Sequence, residues 1–193
     1  GSQPVNDLPD QSAKKDEPRR RRVRSFLLNA ALFVAVFLAA TAFTTRNMLS
    51  ADGAPAPELS GPTLAGEFYD LDEASAKPVL VYFFAPWCKI CGAAADNLVR
   101  LRDWRNPEDL EIVAVALDWT SADDVLAYAQ RHELNMPVVL GDPEIARSWQ
   151  IYGFPSYYVL DDNHRVARRD TGYSSQFGLW WRTRAVEWFG RSM

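Results

Sequence analysis

The chain has 193 residues, 48% hydrophobic and 24% charged, and its formal net charge of −4 conceals an asymmetry. Residues 1–46 hold eight Lys/Arg and four Asp/Glu, a net of +4, whereas residues 47–193 hold 13 and 21, a net of −8. A chain of this length and apolar content can form a hydrophobic core and does not need a disulfide for stability. The acidic larger part argues against a nucleic-acid-binding surface.

The N-terminal part of the sequence predicts a membrane anchor. Residues 1–24 form a polar tail with five arginines between positions 19 and 24, and we expect this tail to be disordered and cytoplasmic. Residues 25–45 predict a transmembrane helix, because the 18 residues 26–43 carry no charge. At about 1.5 Å per residue, such a helix just spans a bilayer core of roughly 30 Å. The basic cluster precedes the helix, so the positive-inside rule places the later residues outside the cytoplasm.

A cleaved signal peptide is the alternative to an uncleaved anchor. Ala40, Thr41 and Ala42 resemble a small-x-small cleavage site. However, the apolar region of a signal peptide usually has about 7–15 residues, and this one is longer. The length therefore favours an anchor that stays attached.

The remaining sequence predicts a linker over 46–57 and one folded domain over 58–193. The apolar run 79–84 is typical of a strand buried on both faces, and apolar residues at helical spacing predict a helix over 88–105. Further patterns predict strands at 112–117, 137–140, 156–160 and 165–169 and helices at 121–132, 143–150 and 176–189. This alternation predicts an α/β domain with a mainly parallel sheet and a closing hairpin. We expect most tryptophans to be core or helix-packing residues, namely Trp104, Trp149, Trp180, Trp181 and Trp188.

The only two cysteines, Cys88 and Cys91, stand three residues apart at the junction of a predicted strand and a predicted helix. Unpaired N–H groups at a helix start favour thiolate over thiol, and C-x-x-C motifs lower a cysteine pKa from about 8.5 to about 3.5–7.5. The spacing also allows a disulfide between the two sulfurs. We therefore expect Cys88 to attack a partner disulfide and Cys91 to resolve the mixed disulfide.

The residues around the cysteines fit this chemistry. Pro86 suits the entry to a helix, and Trp87 offers a flat apolar surface beside the sulfur. Lys89 lies between the cysteines, where its positive charge is expected to stabilise the thiolate.

Other uses of the cysteine pair have less support. A structural disulfide across so short a loop constrains the unfolded chain little. A closed zinc site needs four ligands, and the two histidines, His132 and His164, are distant in sequence and more typical of surface residues. Ala85 stands where a thiol peroxidase needs Thr or Ser. Two thiolates are suited to Cu(I), so a Cu(I) carrier module without turnover remains the alternative hypothesis.

Two stretches resemble thioredoxin-like proteins. "VLVYFFAPWCKIC" at 79–91 is similar to their active-site strand and loop, and "GFPSYYVLDDNHRV" at 153–166 to the stretch that carries their cis-proline. Residues 56–71 resemble the N-terminal extension of membrane-anchored bacterial oxidoreductases of the TlpA/ResA/DsbE group. The order of tail, anchor and outer domain is similar to the suppressor-of-copper-sensitivity protein D type. The resemblance implies a thioredoxin-like fold, a central mixed β-sheet flanked by helices.

The resemblance also implies roles for single residues. Cys88 would be the nucleophile, Cys91 the resolving thiol, and Pro155 a cis-proline that faces the pair. The Phe154 backbone would pair with an extended substrate segment by strand addition, next to Trp87 and Pro86. No metal and no cofactor is implied beyond the redox-active disulfide itself.

Three positions depart from the family pattern. Phe154 precedes the proline, where family members often carry a small or β-branched residue. Tyr82 stands where thioredoxins have a buried carboxylate, and Ala94 where the ResA-like group often has Glu. The proton acceptor for the resolving thiol is therefore unassigned, and Asp96 and Asp118 are more typical of solvated acids at element ends.

These patterns together predict a single-pass protein of the bacterial inner membrane with a catalytic domain in the periplasm. The expected activity is protein thiol–disulfide exchange, in the reductase direction rather than the oxidase direction. The resemblance implies electrons from a transmembrane thiol carrier of the DsbD/CcdA kind. Its substrates would be proteins with thiols or disulfides, in cytochrome c maturation or copper stress. We expect a monomer and no nucleic-acid partner.

Overall fold

The computed structural model describes residues 17–46, 48–74 and 76–190, which form two compact units divided between Thr44 and Thr45. The described part of the first unit is the helix α1 (Glu17–Thr45), which has 29 residues and ends at the first residue of the second unit. Its stretch Val23–Ala40 has a mean hydropathy of 2.0 and is fully exposed, so it is long and apolar enough to cross a membrane or to be a signal sequence. We expected disorder over 1–24. Residues 1–16 lie outside the described residues, whereas 17–24 belong to α1, which begins at Glu17.

The second unit is built on a mixed sheet. Its described residues form seven strands: β1 (Ser60–Pro62), β2 (Phe68–Asp70), β3 (Val79–Phe84), β4 (Glu111–Ala116), β5 (Val138–Leu140), β6 (Ser156–Leu160) and β7 (Val166–Thr171). The main sheet has the order β5-β4-β3-β6-β7, in which β3, β4 and β5 are parallel. β6 runs antiparallel to β3 and β7 antiparallel to β6, while β1 and β2 pair as a separate hairpin.

The central strand β3 is buried along its whole length, as its continuous apolar sequence predicts. Leu80, Tyr82 and Phe84 point into the core on one face of the sheet, and Val79, Val81 and Phe83 into the core on the other. The helices of this unit are α2 (Lys89–Trp104), α3 (Ala122–Arg131), α4 (Pro143–Ser148) and α5 (Gln176–Gly190). This is the thioredoxin-like α/β fold that the sequence predicts.

Both edges of the main sheet are covered by segments that the sequence does not predict as structure. The hairpin of β1 and β2 lies beside β5, where Leu64 N–H donates to the Val138 carbonyl at 2.9 Å. Along β7, Val166 exchanges backbone hydrogen bonds with Gly53 and Ala54 at 3.1 and 2.9 Å. Residues 53–56, part of the stretch 46–57 that we expected to be a linker, therefore pair with the start of an edge strand whose backbone groups would otherwise be exposed.

Only part of the tryptophan prediction is correct. Trp149 is fully buried and donates its indole N–H to the Glu58 carbonyl at 3.1 Å. Trp180 is partly buried and packs against the core, as predicted. Trp104, Trp181 and Trp188 are about half exposed and lie outside the core, although the Trp181 and Trp188 rings pack edge-on against each other with 6.1 Å between centroids.

Candidate active site

The cysteines lie where β3 passes into α2. β3 ends at Phe84, and Cys88 caps the N-terminus of α2 with extended backbone (φ −80°, ψ 106°). Its sulfur accepts the backbone N–H of Cys91 at 3.3 Å. Lys89 is the exposed first residue of the helix, and the first turn carries no acidic side chain. The helix start therefore provides a positive environment for a thiolate at Cys88.

Cys88 and Cys91 form a disulfide, with 5.3 Å between their Cα atoms. Cys88 is half-buried, whereas Cys91 has no exposed surface. The two sulfurs therefore differ in access: a partner thiol or disulfide can reach Cys88 but not Cys91. Among the described residues, no group of three or more His, Cys, Asp or Glu side chains is placed to hold a metal ion.

The loop before β6 lies beside the cysteine loop. The Phe154–Pro155 peptide bond is cis, and Pro155 is buried. Ser156, the next residue, pairs with Phe83 near the end of β3. The Phe154 ring packs edge-on against the Trp87 ring, with 5.9 Å between the ring centroids. The structure thus brings together the proline, the phenylalanine and the tryptophan that the sequence singled out.

A cleft opens beside Trp87. It has a volume of about 330 Å³ and is lined by Pro86, Trp87, Asp118, Trp119, Thr120, Asp124, Ala127, Tyr128 and Arg131. The Trp87 indole N–H is 3.1 Å from both the carbonyl oxygen and Oδ2 of Asp118. Trp119 donates its N–H to the Gly141 carbonyl at 2.9 Å. Asp118 is an exposed acid just after β4, as the sequence predicts, and it also accepts a hydrogen bond from the Trp87 side chain.

A pair of phenols lies beneath the cysteines. Tyr82, at the position of the buried carboxylate in thioredoxins, donates its hydroxyl to the Cys91 carbonyl at 2.7 Å, and its oxygen is 3.3 Å from the Tyr128 hydroxyl. Burial, followed by the proximity of Tyr128, raises the pKa of Tyr82 far above its ordinary value near 10. Burial also raises the pKa of Tyr128, to about 12. Both phenols therefore keep their protons at neutral pH.

His132 and Asp96 complete this cluster, and the sequence prediction of a surface histidine is wrong for His132. Its Nδ1 is 3.0 Å from Asp96 Oδ1, and its side chain is only 18% exposed. Its ring packs on Tyr128 with 4.6 Å between centroids. The sequence offered one signal for this contact, the glycine at 92 directly after the resolving cysteine, which leaves room for a neighbouring side chain.

Comparisons with known proteins agree with this architecture. Residues 53–169 match the AhpC/TSA family. The chain is 31% identical over 115 residues to the thioredoxin-like protein YneN of Bacillus subtilis (strain 168), across 58% of this chain and 66% of that relative. It is 26% identical over 153 residues to the thiol-disulfide oxidoreductase ResA of Geobacillus thermodenitrificans (strain NG80-2), across 79% and 86%. A solved thiol:disulfide interchange protein of the thioredoxin family from Chlorobium tepidum TLS has a TM-score of 0.63 at 24% identity, across 70% of this chain and 97% of that one. The structural likeness shows the fold.

Proposed function

The chain belongs to the AhpC/TSA family, and we propose that it is a membrane-tethered thiol–disulfide oxidoreductase that reduces protein disulfides outside the cytoplasm. The observation that carries this proposal is the Cys88–Cys91 disulfide, which joins an accessible sulfur at a helix N-terminus to a buried one. A structural disulfide gains nothing from such a position, whereas a disulfide-exchange centre needs one sulfur that partners can reach.

The reaction follows from this difference in access. In the reduced protein, the Cys88 thiolate attacks one sulfur of a substrate disulfide, and the other substrate sulfur leaves as a thiolate. The Cys91 thiolate then attacks Cys88 Sγ, which forms the Cys88–Cys91 bond and releases the second substrate thiol. Two electrons pass from the protein dithiol to the substrate, so the reaction needs no further cofactor.

The substrate surface in this proposal has two parts. The loop at Phe154 and Pro155 offers backbone for pairing with an extended substrate segment, as in strand addition. The exposed Trp87 ring and the cleft beside it offer an apolar contact for the substrate side chains that flank its disulfide. The bulk of Phe154 narrows the groove between these parts, because the ring packs against Trp87.

We also infer the cellular setting from the charge pattern and the apolar helix. With α1 as a single anchor and the basic residues on its N-terminal side, the second unit faces the periplasm of a bacterial inner membrane. In the reductase direction, electrons would come from a thiol carrier of the DsbD/CcdA kind in the same membrane. The order of tail, anchor and domain supports a place near the suppressor-of-copper-sensitivity protein D type, and we expect a monomer.

Trapping the mixed disulfide tests the proposal. Full-length protein in detergent should catalyse the reduction of insulin by dithiothreitol, and Cys88→Ser should abolish this catalysis. Cys91→Ser should also lose turnover but should form a stable adduct with a disulfide peptide, detected by mass spectrometry. A Cys88→Ser variant that keeps wild-type turnover would contradict the proposal.

A further inference from the structure

The resolving step of the proposed reaction requires a base to take the proton of the Cys91 thiol. The two positions where the family pattern has an acid do not supply one. Cys91 has no exposed surface, so its thiol cannot lose its proton directly to bulk water. Tyr82 stands where thioredoxins have a buried carboxylate and Ala94 where the ResA-like group often has Glu, and both residues are buried. The proton must therefore pass to another group that lies close to the first turn of α2.

The two phenols of the cluster are unsuitable acceptors. Tyr82 and Tyr128 are protonated at neutral pH, because burial raises the pKa of both, and a protonated phenol is a poor base. Their hydroxyls instead hold the Cys91 carbonyl and each other, at 2.7 and 3.3 Å. They hold the start of α2 in place, but neither of them can accept the proton of the Cys91 thiol.

His132 is held in a fixed orientation between α2 and α3. It lies at the C-terminal cap of α3, and its Nδ1 is 3.0 Å from Asp96 Oδ1 on α2. A carboxylate accepts hydrogen bonds, so this contact places the proton on Nδ1 and leaves Nε2 with its lone pair. The Tyr128 ring packs against the imidazole and holds it in this orientation.

Gly92 shows where the other edge of the imidazole lies. A Cβ atom on Gly92 would be 2.7 Å from His132 Cε1 and 2.8 Å from Nε2. No ordinary side chain fits in that space, so the Nε2 edge rests on the helix backbone at the residue that follows Cys91. Glycine is otherwise unfavourable inside a helix, and its presence here makes room for the histidine.

We propose that His132 is the proton acceptor for Cys91 and that Asp96 is its positioning residue, an inference that rests on the proposed oxidoreductase function. Nε2 takes the proton of the Cys91 thiol directly or through one water, and the resulting thiolate attacks Cys88 Sγ. The Cys88–Cys91 bond forms as the Cys88–substrate bond breaks, and the substrate sulfur leaves with the electron pair and takes a proton from solvent. The imidazolium returns its proton to water beside Asp96, whose side chain is 46% exposed.

The groups in contact with the imidazole come from two elements, Asp96 from α2 and Tyr128 from α3. Tyr82 of β3 contacts Tyr128 and not the imidazole itself. Arg131 and Glu133, which flank His132 in the sequence, are exposed.

Stopped-flow reaction of the reduced full-length protein with the aromatic disulfide DTNB tests this assignment. Attack by Cys88 releases one nitrothiobenzoate in a phase whose rate depends on DTNB concentration. Attack by Cys91 on the mixed disulfide releases the second in a unimolecular phase. In His132→Asn, which keeps a donor for Asp96 but has no base, we expect the second phase to slow at least about 10-fold at pH 7 and to lose its rise between pH 5 and 8. The first phase should change by less than about two-fold.

His164→Asn is the matched control, because it replaces the only other histidine, on the turn before β7. It should leave both phases as in the wild type. Gly92→Ala adds a methyl group against the imidazole and should slow the second phase without removing any titratable group; if His132→Asn does not fold, this variant decides. A second phase that keeps its wild-type rate, or slows equally at every pH, would overturn the assignment. A wild-type protein without a fast first phase would instead contradict the proposed function.

Discussion

At the scale of single residues, the difference between the two cysteines depends on their immediate neighbours. Cys88 is reachable and accepts the Cys91 N–H, while Cys91 is buried against Tyr82. Trp87 stands beside the reachable sulfur with 64% of its surface exposed, yet two hydrogen bonds to Asp118 hold it in place. An exposed aromatic ring that is held in this way is suited to contact a partner.

The contribution of Trp87 to substrate binding is therefore measurable. We expect Trp87→Ala to raise the KM for a protein disulfide about 10-fold, equivalent to about 1.4 kcal/mol, with little change in the rate of reaction with a small disulfide. Trp104→Ala is the matched control, since Trp104 is 51% exposed at the far end of α2. Equal effects of the two variants on KM would argue against a substrate contact at Trp87.

The residue-level chemistry was only partly predictable from sequence. The helix-capping position of Cys88 follows from local pattern, because the strand, the proline and the helix are contiguous. The hydrogen bond from Trp87 to Asp118 spans 31 positions, and the contact between His132 and Asp96 spans 36. Local periodicity contains no information about which distant side chains meet across the ends of two elements.

At the scale of elements, strong sequence patterns predicted the bounds of strands and helices to within a few residues, as for β3 and α5. The short strands β1 and β2 were missed, because three residues are too few to show an alternating pattern. The segment 48–57 was predicted as a linker for a related reason: its partner, β7, is more than a hundred residues away. The Arg169 side chain on β7 donates hydrogen bonds to two carbonyls of this segment, those of Met48 and Leu49, at 2.8 and 2.7 Å.

Removing this arginine should release the segment locally. In Arg169→Gln we expect amide hydrogens over 48–57 to exchange about 10- to 100-fold faster, because hydrogen bonds to charged groups contribute about 1.5–3 kcal/mol. Hydrogen–deuterium exchange with mass spectrometry gives the measurement. Arg168→Gln, on the exposed side of the same strand, should leave the exchange unchanged. Unchanged exchange in Arg169→Gln would mean that the backbone pairing with Val166 is sufficient.

At the scale of the whole molecule, buried phenols set the alkaline limit of stability. Burial raises the pKa of Tyr82 and Tyr157 well above 10, and that of Tyr128 and Tyr158 to about 12. A raised pKa means that the folded state keeps a proton that the unfolded state loses first. The stabilising contribution is complete below about pH 10 and is lost as the pH rises above it.

The free energy of unfolding should consequently fall between pH 10 and 12, by about 1.4 kcal/mol per pH unit for each such tyrosine. Urea unfolding of the full-length protein at a series of pH values measures this slope. Tyr128→Phe should make the slope shallower, whereas Tyr152→Phe, at an exposed position, should leave it unchanged. A free energy of unfolding that is constant from pH 9 to 11 would contradict the account of the phenols.

The anchor is the second prediction for the whole chain. If α1 stays attached, full-length protein should remain in the membrane pellet after extraction with alkaline carbonate, and protease added outside spheroplasts should digest the second unit. A soluble product that begins close to Ala42 would show instead that the segment is a cleaved signal peptide.

The central claim is that the Cys88–Cys91 disulfide is a redox centre that donates electrons to substrate disulfides. Its most direct test is the reduction potential of the pair, obtained by equilibration with dithiothreitol and glutathione buffers. We expect a value near −270 mV, as for an electron-fed reductase. A value near −120 mV would reverse the direction to oxidation, and a pair that stays oxidised far below about −300 mV would be a structural disulfide and would contradict the claim.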